Sequence, residues 1–156
     1  MQLARLHDHL SGRVVIVGVG NRMKGDDGFG PVVIERLQNQ VKVPLFDCGT
    51  VPENFLKLIR EERPQTVLVL DAADFSGQPG EIAVIEPERW RGGGFSSHSM
   101  SLKLFADLIS QDTGAGVYLV AIQPKRLGFG EQMSPEVREG CRRLQRWLED
   151  ALRAHS

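Results

Sequence analysis

Short apolar runs alternate along the chain with segments of helical period. Arg13 to Val19 is a β-branched run that stops at glycine, the pattern of a strand buried on both faces of an α/β sheet. After a glycine-rich connection, Pro31 to Leu37 reads as a helix, because Val33, Ile34 and Leu37 form one apolar stripe. Val43 to Cys48 gives a second short strand. Thr50 and Glu53 have the spacing of a capping box, and Val51, Phe55, Leu58 and Ile59 carry a helix toward the stop at Pro64. Thr66 to Leu70 is a third strand that ends at Asp71, and Glu81 to Ile85 is a fourth. Beyond Gly92, Gly93 and Gly94, the helical period returns at Leu102, Phe105, Leu108 and Ile109, and Val117 to Ile122 makes a fifth strand. Ser134 followed by Pro135 is a cap with an N1 proline, opening a final helix whose apolar face is Val137, Cys141, Leu144, Leu148 and Leu152.

The order β, α, β, α, β, β, α, β, α predicts a three-layer α/β/α architecture, with a five-stranded, mostly parallel sheet covered by helices on both faces. A parallel crossover needs a dozen or more residues. The link from Asp71 to Gly80 is shorter than that, so strand four is expected to run antiparallel. If strand five is parallel to strand one, the helix feeding it must begin at the carboxyl edge of the sheet.

Composition narrows the class without changing this picture. The 156 residues suit one domain, residues 1–156. With 41% hydrophobic and 25% charged residues the chain has enough apolar material for an ordinary core and is not of a disordered type. Nineteen basic and twenty acidic side chains leave a formal net charge of -1, so no global field favours nucleic acid or acidic lipid. Cys48 and Cys141 lack the spacing of a zinc or redox pair and read as reduced, buried thiols. His7, Asp8 and His9 interrupt the apolar stretch that a signal peptide would need, and no segment approaches a membrane span. The expectation is a cytoplasmic, monomeric protein without a membrane or nucleic-acid partner.

In open α/β sheets, functional groups gather in the crevice at the carboxyl ends of the parallel strands. Asp26 and Asp27 lie in the loop after strand one, and Asp71 ends strand three with Asp74 close behind. His98 comes just before the helix expected to start at that same edge. At about 3.3 Å per residue the stretch from Pro87 to Ser97 could reach about 36 Å, well beyond the roughly 20 Å of a strand, so His98 can return to the carboxyl rim. Asp27, Asp71 and His98 would then form an oxygen and nitrogen donor set for a divalent ion such as nickel or zinc, with open positions for substrate or water. Open coordination suits metal-assisted hydrolysis.

Each residue also has a plainer role. Asp27 could serve the dipole of the first helix, Asp71 a strand-end turn, and His98 a solvated helix start. Convergence is what separates the two readings. Gly18-Val19-Gly20 opens like a dinucleotide fingerprint, but Met23 occupies the place of the third glycine, so no nucleotide cofactor is expected.

The run Gly20-Asn21-x-x-x-Gly25-Asp26-Asp27-Gly28-x-Gly30 after a buried strand resembles the signature of the hydrogenase maturation endopeptidases. Asp71-Ala72-Ala73-Asp74, Pro79-Gly80-Glu81-Ile82, Ser97-His98-Ser99-Met100, Ile122-Gln123-Pro124 and Gly128-Phe129 through Met133-Ser134 follow in the same order, as in the branch serving formate-hydrogenlyase-type enzymes. The resemblance implies an endopeptidase that removes a C-terminal extension from the nickel-iron hydrogenase large-subunit precursor after nickel has entered it. It implies that Asp27, Asp71 and His98 are both catalytic and metal-contacting, and that the nickel is supplied by the substrate. Asp26 and Asp74 are expected as supports. The chain departs from the pattern at Ser99, Ser101 and Lys125, which bears on the choice of precursor.

Because all three site residues are expected in surface loops, their replacement by alanine is expected to leave the fold intact. Two rival readings make different demands. A phosphoryl-accepting receiver domain would use the acidic pair, Asp71 and Lys125 around a phosphorylated aspartate. A non-catalytic nickel-binding maturation factor would use the same three residues to hold and transfer metal.

Overall fold

The computed structural model describes residues 3–89 and 101–153. Five strands form one sheet in the order β2-β1-β3-β5-β4: β1 (Val14–Gly18), β2 (Leu45–Asp47), β3 (Thr66–Ala72), β4 (Ile82–Ile85) and β5 (Gly116–Ile122). β2, β1, β3 and β5 are parallel neighbours, and β4 closes one edge antiparallel to β5. The short link after Asp71 accounts for that reversal, as the sequence predicts.

Alternation along the strands divides the core into two layers. Ile16, Leu68, Leu70, Val120 and Ile122 face one side, where they pack with Leu6 of the short N-terminal helix α1 (Leu3–Leu6), with α2 (Phe29–Leu37) and with α5 (Pro135–Ala151). Val15, Val17, Val67, Val69 and Leu119 face the other, against α3 (Leu56–Glu61) and α4 (Leu102–Thr113). Both faces of β1 and β3 are thus covered, and every residue of these two strands is buried. Their continuous apolar spelling follows from this.

The differences from the sequence reading are local. Helix α2 starts at Phe29, two residues before the proline that announces it, because the preceding turn runs directly into it. The second strand contracts to Leu45–Asp47. The capping box at Thr50 and Glu53 does not form. Pro52 instead opens a 3-10 turn, Pro52–Phe55, behind Val51, and the α-helix begins only at Leu56. Strand β3 extends through Asp71 to Ala72, paired to β5 over its whole length. Cys48 and Cys141 are free and buried, as expected. Among the described residues, no helix is long and apolar enough to cross a membrane.

Candidate active site at the carboxyl rim

The loop that leaves β1 folds back under two glycine constraints. Gly20 has φ 144°, and a Cβ there would lie 2.0 Å from the Asp27 carbonyl oxygen. Gly25 has φ 56°, and a Cβ there would lie 2.7 Å from the Arg126 carbonyl oxygen. Neither position accepts a side chain without moving backbone. Between them the chain closes on itself, because Asn21 N–H donates to Asp27 Oδ2 at 2.9 Å. The Gly25–Gly28 segment is a 3-10 turn packed against β3.

That turn carries Asp27 to the rim. Register places Gly18, the last residue of β1, beside Leu70, so Asp71 sits just past the end of β1 on the neighbouring strand. Both carboxyl groups are withdrawn from solvent: Asp27 is 6% exposed and Asp71 0%. This corrects the expectation that they lie in surface loops. A buried carboxylate is costly unless polar partners or a cation compensate it, so two at one rim mark a polar environment.

By strand alternation Asp71 points to the face covered by α3 and α4. Helix α4 begins on that face with Ser101 as its N-cap, the Ser101 side chain accepting from Leu104 N–H. Its C-terminus feeds β5, which is parallel to β3, so the helix starts at the carboxyl rim. His98 precedes Ser101 in the sequence and lies outside the described residues. Among the described residues, no group of three or more histidine, cysteine, aspartate or glutamate side chains is gathered to hold a metal ion. The structure therefore brings Asp27 and Asp71 to one rim as two carboxyl oxygen donors, a set that fits a hard or borderline divalent cation once a further donor is supplied.

Asp26 does a different job. It is fully buried, and its Oδ2 accepts from Lys125 N–H and Arg126 N–H, both at 2.8 Å, and from the Ser134 hydroxyl at 2.9 Å. Its Oδ1 accepts from Ser134 N–H at 2.7 Å, while its own N–H donates to the Arg126 carbonyl at 2.7 Å. One carboxylate thus ties the loop after β1 to the loop after β5. Ser134 also caps α5 through Val137 N–H, so the same hydroxyl fixes the start of that helix.

Asp74 is a support of another kind. Its exposed carboxylate is held below the usual aspartate range, first by the Ser76 N–H and then by the Gln123 side-chain amide. Gln123 in turn accepts from Phe75 N–H at 2.9 Å and Gly77 N–H at 3.0 Å. The Gln-Pro pair after β5 therefore organises the link between β3 and β4. Nothing in its spacing assigns that role. The one available signal is a buried amide side chain beside a turn rich in unpaired backbone N–H groups.

Lys125 does not behave as a receiver-domain lysine. Its Nζ pairs with Glu136 at 2.7 Å. This pair and the antiparallel edge strand both run against the phosphoryl-transfer reading.

Known proteins agree with this architecture. A family model described as HycI, hydrogenase maturation protease, matches residues 31–151, a span that begins beyond the glycine-rich loop and is therefore independent of it. The hydrogenase 3 maturation protease of Escherichia coli K12 is 35% identical over 138 residues, covering 86% of this chain and 88% of that protein. The crystal structure of a NiFe hydrogenase maturation protease HycI from Thermococcus kodakarensis KOD1 superposes with a TM-score of 0.88 at 35% identity, covering 96% of this chain and 99% of that one. The hydrogenase maturating endopeptidase HybD of E. coli shares the fold at 22% identity, with a TM-score of 0.73. Matched over most of its length in both sequence and structure, the chain belongs to the HycI family of hydrogenase maturation proteases.

Proposed function

We propose that this chain trims the C-terminal extension of a nickel-iron hydrogenase large-subunit precursor, and that Asp27, Asp71 and His98 meet the nickel that the precursor already carries. The observation that supports this most directly is the burial of two aspartates at the carboxyl rim of adjacent parallel strands, β1 and β3, in a chain of the maturation protease family. The imidazole of His98 is proposed as the third donor, since the sequence carries it to the start of α4.

In this reading nickel belongs to the substrate, and when bound it polarises a nearby oxygen as a Lewis acid. The residues of the chain orient and hold. Asn21 N–H fixes the Asp27 carboxylate through Oδ2. The β3–β5 ladder fixes Asp71. A carboxylate so placed can also accept a proton from the attacking water, as general bases do. The enzyme is proposed to act as a monomer in the cytoplasm, on this protein substrate and not on nucleic acid or membrane.

The deciding experiment is intact-mass spectrometry of nickel-loaded and nickel-free precursor mixed with the enzyme. Loss of one C-terminal peptide from the loaded precursor alone is the expected result. An unchanged precursor under both conditions would overturn the assignment, and equal trimming of both would overturn the gating by nickel. A tight nickel complex of the isolated protein without trimming would favour a non-catalytic metal carrier.

A further inference from the structure

The catalytic rim is bordered by apolar side chains that the fold leaves in water. Met23 is 60% exposed, Leu127 48% and Phe129 72%. Two backbone hydrogen bonds set their loops side by side: Gly130 N–H donates to the Met23 carbonyl at 2.7 Å, and Asp26 N–H to the Arg126 carbonyl at 2.7 Å. Val51, a further exposed apolar residue, follows β2 at the same rim, where Gly20 N–H donates to the Gly49 carbonyl. Scattered exposed leucines are ordinary, but a cluster held in place around a reactive centre marks an interaction surface.

The stiffness of the patch sharpens the point. A floppy loop could bury Phe129 by folding onto the core, yet this loop is tied back through the four hydrogen bonds that Asp26 accepts. The molecule therefore holds an aromatic ring outward on a fixed support, an arrangement that suits an anchor for a partner. Arg126 stands exposed between Leu127 and the Asp26 clamp, where its charge also helps to hold the Glu136 carboxyl below its usual range, after the Lys125 hydrogen bond that dominates there. It adds one cationic group to the edge of the patch.

We infer that Met23, Leu127 and Phe129, with Arg126 at their edge, form the docking surface for an apolar segment of the precursor chain flanked by a carboxylate. This rests on the proposed function, and it names the part of the enzyme that recognises the substrate polypeptide as distinct from its metal. The occupant is assigned by continuity: Met23 and Asp27 belong to one short loop, so a chain lying across the patch runs directly into the site. Phe129 and Leu127 are specificity-determining residues in this scheme, and Arg126 orients the bound segment.

The test measures affinity and cleavage separately. Titration of the precursor is carried out with the Asp27→Asn enzyme and with the same enzyme carrying Leu127→Ser and Phe129→Ser, while cleavage is followed with Asp27 intact. The double substitution is expected to weaken binding by about tenfold or more, and Arg126→Glu by a smaller factor that shrinks in high salt. Leu58→Ser, an exposed apolar residue on α3, should leave affinity within about twofold of the parent, as expected of a residue outside the anchor cluster. Unchanged affinity in the double variant, with an unchanged melting curve, would overturn the docking surface even if trimming proceeds. Absence of trimming by the unmodified enzyme would overturn the proposed function and leave the affinity comparison to stand by itself. Sedimentation of the enzyme alone covers the other occupant: a dimer that the double substitution dissolves would make the patch a contact between copies, and overturn the proposal.

Discussion

Asp26 and Ser134, separated by more than a hundred positions in the chain, share two hydrogen bonds: the serine N–H donates to Oδ1 at 2.7 Å and its hydroxyl to Oδ2 at 2.9 Å. Both residues are fully buried. Charge-assisted bonds of this kind are among the stronger ones, and breaking them strands the donors that remain. Asp26→Ala is expected to cost about 3 kcal/mol of stability, and Ser134→Ala about 1 to 2 kcal/mol because it also removes the cap of α5. Urea unfolding of the two variants checks both values. A loss of less than half a kcal/mol for Asp26→Ala would show that the clamp does not hold the loops.

Asp27 and Asp71 should be tested with asparagine, since alanine at a buried position would confound chemistry with packing. Each amide variant is expected to retain the circular dichroism of the parent and to lose at least a hundredfold in precursor trimming. His98→Ala is expected to lose activity to a similar degree. Full processing by any one of the three would remove that residue from the proposed mechanism.

Burial pushes both thiols, Cys48 and Cys141, up to about 12, with the neighbouring Asp47 adding to the effect at Cys48. A raised value leaves on the order of one thiolate in ten thousand at pH 8, and the thiolate is the reactive form. Incubation of the folded protein with iodoacetamide at that pH should therefore label neither cysteine, and addition of denaturant should release both. Rapid labelling in native buffer would contradict the packing of Cys48 against the α3/α4 face and of Cys141 in α5.

The turn after β3 carries a pH dependence of known sign. Asp74 is held below its ordinary range by Ser76 N–H and then Gln123, so its contribution is present above the unfolded aspartate value of about 4 and is lost as the pH falls through the lowered folded value. The protection factors of the Phe75 and Gly77 amides, both bonded to Gln123, measured against the intrinsic exchange rate at each pH, should stay high at neutral pH and fall only in acid. In Gln123→Ala the same two amides should show little protection relative to their intrinsic exchange rates at every pH. Protection that persists in that variant would mean that the turn is held by something else.

Much of the fold could be read from the chain because burial spells itself out. Val14 to Gly18 and Thr66 to Ala72 are covered on both faces, and their uninterrupted apolar runs record that. The reversal of β4 followed from the brevity of the link between Asp71 and Gly80. What escaped was fixed either by a competing local signal or by contacts distant in sequence. Thr50 and Glu53 have the spacing of a cap, but Pro52 starts a 3-10 turn there and local propensity yields to it. Asp71 reads as a strand-end residue, while its full burial and membership of the β3–β5 ladder depend on a partner strand some fifty residues later. Asp27 and Asp71 were recognisable as candidates from their places in the loop after β1 and near the carboxyl end of β3. The part played by Gln123 was not, because side-chain amides carry no periodic signal.

The bond between Asp26 and Ser134 also sets an order of events during synthesis. The loop that carries Asp27 gains its hold on residues 125–134 only after the fifth strand and the start of the helix that follows it have docked, and that stretch is made about a hundred residues after the loop it holds. A partly made chain would possess both acidic groups yet lack the brace that steadies them. The acidic loop is thus steadied by a part of the polypeptide that does not yet exist when the loop itself is made.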